Sequence, residues 1–144
     1  MRAVLSALAL ASLVAAPPAR AASDPARAAA EAFGRALVGG RAEALRPLLP
    51  TRGKVRMTLV RFGPEDGTFA PQQVEALFRS FLATGKVTSF VVSRCESDGR
   101  SSGLAHARAA LVDRDGRGGR VGVHLGFEPE GERWVLREVK ETAE

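Results

Sequence analysis

The chain has 144 residues, 45% of them hydrophobic and 26% charged, with one Cys, no Tyr and a net charge of +5. That length supports one hydrophobic core and leaves too little chain for a second domain. The lone Cys excludes a disulfide framework, and average apolar content with charges of both signs argues against a disordered or low-complexity chain.

Met1-Arg2 is a short basic start, Ala3 to Ala16 an uncharged apolar run, and Ala19-Arg20-Ala21 an A-x-A pattern of small residues. Residues 1–21 therefore read as a secretory signal peptide, with residues 22–144 as a single domain delivered to the periplasm or outside the cell. The run is too short for a transmembrane helix, and nothing later is apolar and long enough for one. No membrane partner is expected once the leader is cleaved. Cleavage would remove Arg2 and Arg20, leaving 19 basic and 16 acidic residues, or +3. The Arg residues are scattered between acidic ones, with no continuous stripe interleaved with aromatics, so no nucleic-acid partner is expected.

Asp24-Pro25 is a cap followed by Pro at the first helical position, and Ala29, Phe33, Ala36 and Leu37 recur at helical spacing up to the Gly39-Gly40 stop. A short helix over 41–46 buries Leu45 and ends in the Pro47/Pro50 stretch. Residues 53–62 alternate, Val55, Met57 and Leu59 against Lys54, Arg56 and Thr58, and predict a half-buried strand. Gly63-Pro64 and Asp66-Gly67 predict a turn-rich loop. Pro71 opens the clearest helix, with Val74, Leu77, Phe78, Phe81 and Leu82 on one stripe and Gly85 as its stop. We expect this stripe to pack on the apolar face of Val121, Val123, Leu125 and Phe127.

From Lys86 the pattern is β: strands over 87–95, 102–113, 120–128 and 133–141, joined by turns at 96–101, 114–119 and 129–132. The expected class is α+β, with N-terminal helices and one long helix packed on a curved antiparallel sheet. The strand over 87–95 is apolar on both faces by simple alternation, Val87 and Val91 against Phe90 and Val92. A homodimer covering the outer face of the sheet follows as an expectation.

The order of elements, with A-F-G-R-A-L-V-G-G-R-A-E-A-L-R-P-L-L, the strand K-V-R-M-T-L, the helix F-A-P-Q-Q-V-E-A-L-F-R-S-F-L and the closing strands to W-V-L-R-E-V, resembles the nuclear-transport-factor-2-like superfamily over residues 24–141. It looks most like a secreted bacterial branch known only as a domain of unknown function. The resemblance implies a cone-like, often dimeric domain whose sheet and helices can enclose an apolar pocket, a shape also called cystatin-like. One fold hosts many functions, so it does not choose an activity. The steroid-isomerase and scytalone-dehydratase-like branches depend on Tyr, which this chain lacks.

Other chemistry is sparse. Asp113-x-Asp115 with Gly118 at the sixth place echoes a calcium loop, but His124 stands at the twelfth place and Arg117 at an oxygen-ligand place. Two His and one Cys lack zinc spacing, so no metal and no cofactor are expected. No G-x-S-x-G elbow is present, and Cys95 reads as a small apolar side chain. His106 and His124 are the only side chains that titrate near neutrality without perturbation. Pairing Leu111 with Val121 sets His124 across from Arg108 and diagonal to His106, while a two-residue slip puts the two His opposite each other. Both fall on the face away from the helices. The reading is a secreted small-ligand-binding or scaffold module without catalytic activity, with Phe78, Phe81, Ala107, Ala109, Val123 and Leu125 as candidates to bind a small apolar ligand. The first alternative is an acid–base enzyme of isomerase, cyclase or dehydratase type, using His106 or His124 with Arg108. The second is a structural dimerisation subunit.

Overall fold

The architecture follows from where the chain can satisfy its helix ends and where it alternates. A computed structural model describes residues 24–63 and 65–144. The expected leader over 1–21 and Pro64 of the expected turn lie outside them. Helix α1, Pro25–Val38, starts where the Asp24 carboxylate accepts the Ala26 amide at 2.9 Å, and ends at Gly39. A short 3-10 helix, Ala42–Leu48, follows. Strands β1 (Val55–Leu59) and β2 (Glu65–Phe69) precede helix α2 (Pro71–Thr84). At its start the Gln73 side chain accepts the Ala70 amide at 2.8 Å. Then come β3 (Lys86–Ser97), β4 (Gly103–Val112), β5 (Gly118–Glu130) and β6 (Arg133–Thr142).

The six strands form one curved sheet in the order β2-β1-β6-β5-β4-β3, antiparallel except where β1 runs parallel to β6. The helices cover one face, so the α+β reading is correct. Phe33, Leu37, Met57, Phe78, Leu125, Leu136 and their neighbours form a continuous buried cluster there.

Three expectations need correction. Residues 65–69 are a strand paired with β1, not a loop, because Gly67 lies opposite Met57 and needs no side chain of its own. Helix α1 lies along β3 and β4 and not along β5. Helix α2 packs instead on the 3-10 helix and on the ends of β2 and β3. Phe81 is accordingly only half-buried, whereas Phe78 is 1% exposed. Finally, β3 is not apolar on both faces. Register shifts at Thr88 and Ser93 bring Val87, Phe90, Val92 and Cys95 opposite the inward residues Leu111, Ala109, Ala107 and Ala105. Only Val91 is left outside, so the apolar argument for a covered outer face falls away.

Close approach sets the helix–sheet distance at two glycines. A Cβ on Gly34 would strike the Phe90 ring, and one on Gly103 would strike the Ala26 Cβ.

Candidate functional site

Strand register decides what the two His can do. Leu111 pairs with Gly119, two residues earlier than expected, so the β4–β5 hairpin closes on a tight 113–117 turn. His106 and His124 are therefore directly opposite, with ring centroids 4.2 Å apart in an edge-to-face arrangement. Both are half-buried on the outer face of the sheet, away from the helices. The Arg94 guanidinium lies 3.2 Å from His106 Nε2. His124 is held below its ordinary value by burial, then by His106, Lys140 and Arg94, while Glu138 pulls the other way. Arg108, the third catalytic candidate, pairs with Glu144 at 3.3 Å instead of meeting either ring.

The apolar candidates divide sharply. Phe78, Ala107, Ala109, Val123 and Leu125 are all 3% exposed or less and fill the space between sheet and helices. The pocket expected in that space is occupied by the core itself. Phe81 is the exception. It lines a cleft of about 370 Å³ at the end of the sheet where β1, α2 and the β4–β5 turn converge.

The cleft is built by one buried carboxylate that the sequence reading passed over. Glu141 is only 8% exposed and lies across from Val123 on the inward side of β6. Its two oxygens accept the amides of Val60 and Arg61 at 2.8 Å and of Phe62 at 3.3 Å. This bends the chain after β1 so that Phe62 turns inward against Phe81 and Phe78, at centroid distances of 5.1 and 6.0 Å. The Arg61 side chain crosses Gly119, where a Cβ would collide with it, and reaches Asp113 at 3.3 Å and the Arg117 carbonyl at 3.0 Å. A Glu inside an alternating apolar strand pattern was the signal that could have found this site.

Val60, Phe62, Leu77 and Phe81 give the cleft an apolar lining, and Arg61, Glu65, Arg114 and Asp115 ring it with charge. Asp113 is held below the ordinary carboxylate range, first by the Arg117 amide and also by the Asp115 amide and Arg61, against the opposing effect of burial. Burial above all, with Asp24 beside it, pushes the Cys95 thiol up to about 11. Among the described residues no three His, Cys, Asp or Glu side chains are placed to hold a metal ion.

No family profile matches the chain, and no curated protein matches it. Solved structures do. A protein of the NTF2-like family from Streptomyces avermitilis, provisionally assigned as a dehydratase, superposes with a TM-score of 0.67 at 17% identity, covering 83% of this chain and 94% of that one. A DUF4783 family protein from Bacteroides fragilis gives 0.59 at 16% identity, over 78% and 96%. An epoxide hydrolase from M. tuberculosis gives 0.60 at 16% identity, over 81% and 76%. The fold is NTF2-like, and its resemblances include a branch of unknown function.

Proposed function

We propose that the protein is an exported, non-catalytic module that binds a small amphipathic molecule in the cleft beside Phe81. One observation carries this reading: the interior between sheet and helices is filled, while the hollow beside it combines an apolar lining with a charged rim. A volume of about 370 Å³ falls in the range of small-ligand sites. The binding surface is thus displaced from the predicted Ala107/Ala109/Val123/Leu125 row to Leu77, Phe81, Phe62 and Val60.

Acid–base catalysis needs a group that exchanges protons near neutrality within reach of the bound molecule. Both His rings are on the opposite face of the sheet, and Asp113 is committed as an ionised acceptor of two turn amides. Export rests on Met1-Arg2, the Ala3–Ala16 run and Ala19-Arg20-Ala21. No helix among the described residues is long and apolar enough to cross a membrane.

The test is a fluorescence titration with anilinonaphthalene sulfonate, an aromatic anion sized for such a cleft. Saturable binding to wild-type protein, lost in Phe81→Asp with the fold intact by circular dichroism, is expected. Equal binding by both proteins would remove the cleft from the argument. Turnover of a model epoxide or of a dehydratable alcohol by purified protein would overturn the non-catalytic reading.

A further inference from the structure

A second hollow, of about 310 Å³, lies on the outer face of the sheet over β3, β4 and β5. Strand register sets Val91 opposite Arg108 and Arg108 opposite Gly122. Two residues nearer the β4–β5 turn, Ser89 is opposite Ala110 and Ala110 opposite Arg120. Arg108 and Arg120 are therefore diagonal neighbours, roughly 7–8 Å apart. The other diagonal is Ala110 and Gly122, so almost nothing stands up between the two arginines. Val91, the apolar side chain that the register shifts of β3 leave outside, walls the hollow and is 61% exposed. Glu144, beyond the end of β6, is the one acid among the lining residues, and its carboxylate meets the Arg108 guanidinium at 3.3 Å.

We propose that this hollow binds a small amphipathic carboxylate, its acid group held between Arg108 and Arg120 and its apolar part laid on Val91 and Ala110. A guanidinium presents a planar fork of donors that matches a carboxylate, and the two carboxylate oxygens can accept from two forks at once. The Glu144 carboxylate occupies the place of that acid group, so the chain fills its own site until a ligand displaces it. Glu144 engages Arg108, while Arg120 has no ion-pair partner among the described residues. A free ligand gains the second arginine and the contact with Val91, neither of which Glu144 uses.

The resident pair is weak enough to exchange. The Arg108 side chain is 74% exposed and that of Glu144 32%, and an ion pair so open to water stabilises little. Strand pairing, and not local sequence, creates the site. Had Leu111 faced Val121, Arg108 would be opposite His124, and Arg120 would be four residues further along β5, about 13 Å away. The hollow shares no lining residue with the cleft beside Phe81, so the two readings stand or fall separately.

An NMR titration of the exported protein with hexanoate at pH 7 tests the proposal, read on the amides of Val91, Ala110 and Gly122. Saturable shifts at all three are expected. Glu144→Gln removes the internal competitor and should tighten binding by about threefold, the strength of an exposed ion pair. Arg120→Gln should weaken it by about tenfold, the loss of one charge-assisted hydrogen bond. Hexanol, which lacks the charge, should leave the three amides unmoved, and acetate, which lacks the chain, should bind more weakly than hexanoate. Melting temperature controls for folding of each variant. Amides that stay unmoved in both wild type and Glu144→Gln would overturn the site, as would equal affinity in wild type and either variant. Phe81→Asp should leave the shifts intact. Shifts confined to the surroundings of Phe81 and abolished in Phe81→Asp would sink this site while supporting the cleft.

Discussion

Glu141 shows how one side chain can shape a site that it does not line with its own chemistry. Three amides of the chain after β1 converge on its carboxylate, that of Phe62 buried and those of Val60 and Arg61 partly so. Glu141→Ala should cost about 1–3 kcal/mol by chemical denaturation, the penalty of stranding buried donors. Glu141→Gln, which keeps an acceptor oxygen, should cost less. Glu130, the last residue of β5, plays a similar part. Hydrogen bonds from the Thr51 hydroxyl and amide, with Arg133 beside it, bring its carboxyl down to about 2. The stabilisation it contributes is present above the ordinary value of 4.5 and is lost as pH falls toward 2. Carboxyl NMR should show the Glu130 midpoint well below the ordinary 4.5, and Thr51→Val should raise it. His124 changes stability with the same sign, in a higher pH window. Its folded value is below the ordinary 6.5, so the native state holds fewer protons than the unfolded chain just below that pH. Stability therefore falls as pH drops through this window, and His106→Gln should raise the His124 midpoint by removing a like charge.

At the scale of elements, α2 has two aromatic positions that look alike in sequence and differ in place. Phe78 meets Phe33 edge-to-face at 5.5 Å and is fully enclosed. Phe78→Ala should cost about 3–5 kcal/mol in thermal or denaturant unfolding. Phe81→Ala, at a half-buried position facing the cleft, should cost less, about 1–2 kcal/mol, because less apolar surface is removed from contact. Equal losses at the two sites would show that the cleft is closed in solution. The docking of α1 gives a third expectation. Gly103→Ala drives a methyl into Ala26 and should destabilise by about 1–3 kcal/mol, although Ala suits a strand no worse than Gly.

At the scale of the whole molecule, the core is continuous from α1 through the sheet to β1, and the cleft beside Phe81 lies outside it, where β1, α2 and the β4–β5 turn converge. Export belongs at this scale too. N-terminal sequencing of exported protein should begin at Ala22 or close by, and an intact Met1 on that protein would refute the leader. Native mass spectrometry of the same preparation should reveal a retained small molecule if the cleft is occupied in the cell.

Much of this was legible in the residues. The 3.6-residue spacing of Ala29, Phe33 and Leu37 and of Val74 and Phe78 identified both long helices, since only one stripe of a helix can reach the core. Strict alternation in 102–113 and 120–128 identified which side chains face inward, and the face of both His with them. Glu65–Phe69 was hidden because its Asp66-Gly67 has the chemistry of a turn, and only pairing with β1 makes it a strand. The register of β4 on β5 was open because Leu111 can face Val121 or Gly119 with the same faces buried. The tight turn closed by the Asp113 amide and the Arg117 carbonyl chose between them, and so brought His106 against His124. The bulges in β3 and the capture of three amides by Glu141 depend on contacts many residues apart. Local pattern determined the elements and their faces. Long-range pairing alone decided that the interior is filled, that a cleft lies beside Phe81, and that Arg108 and Arg120 become diagonal neighbours.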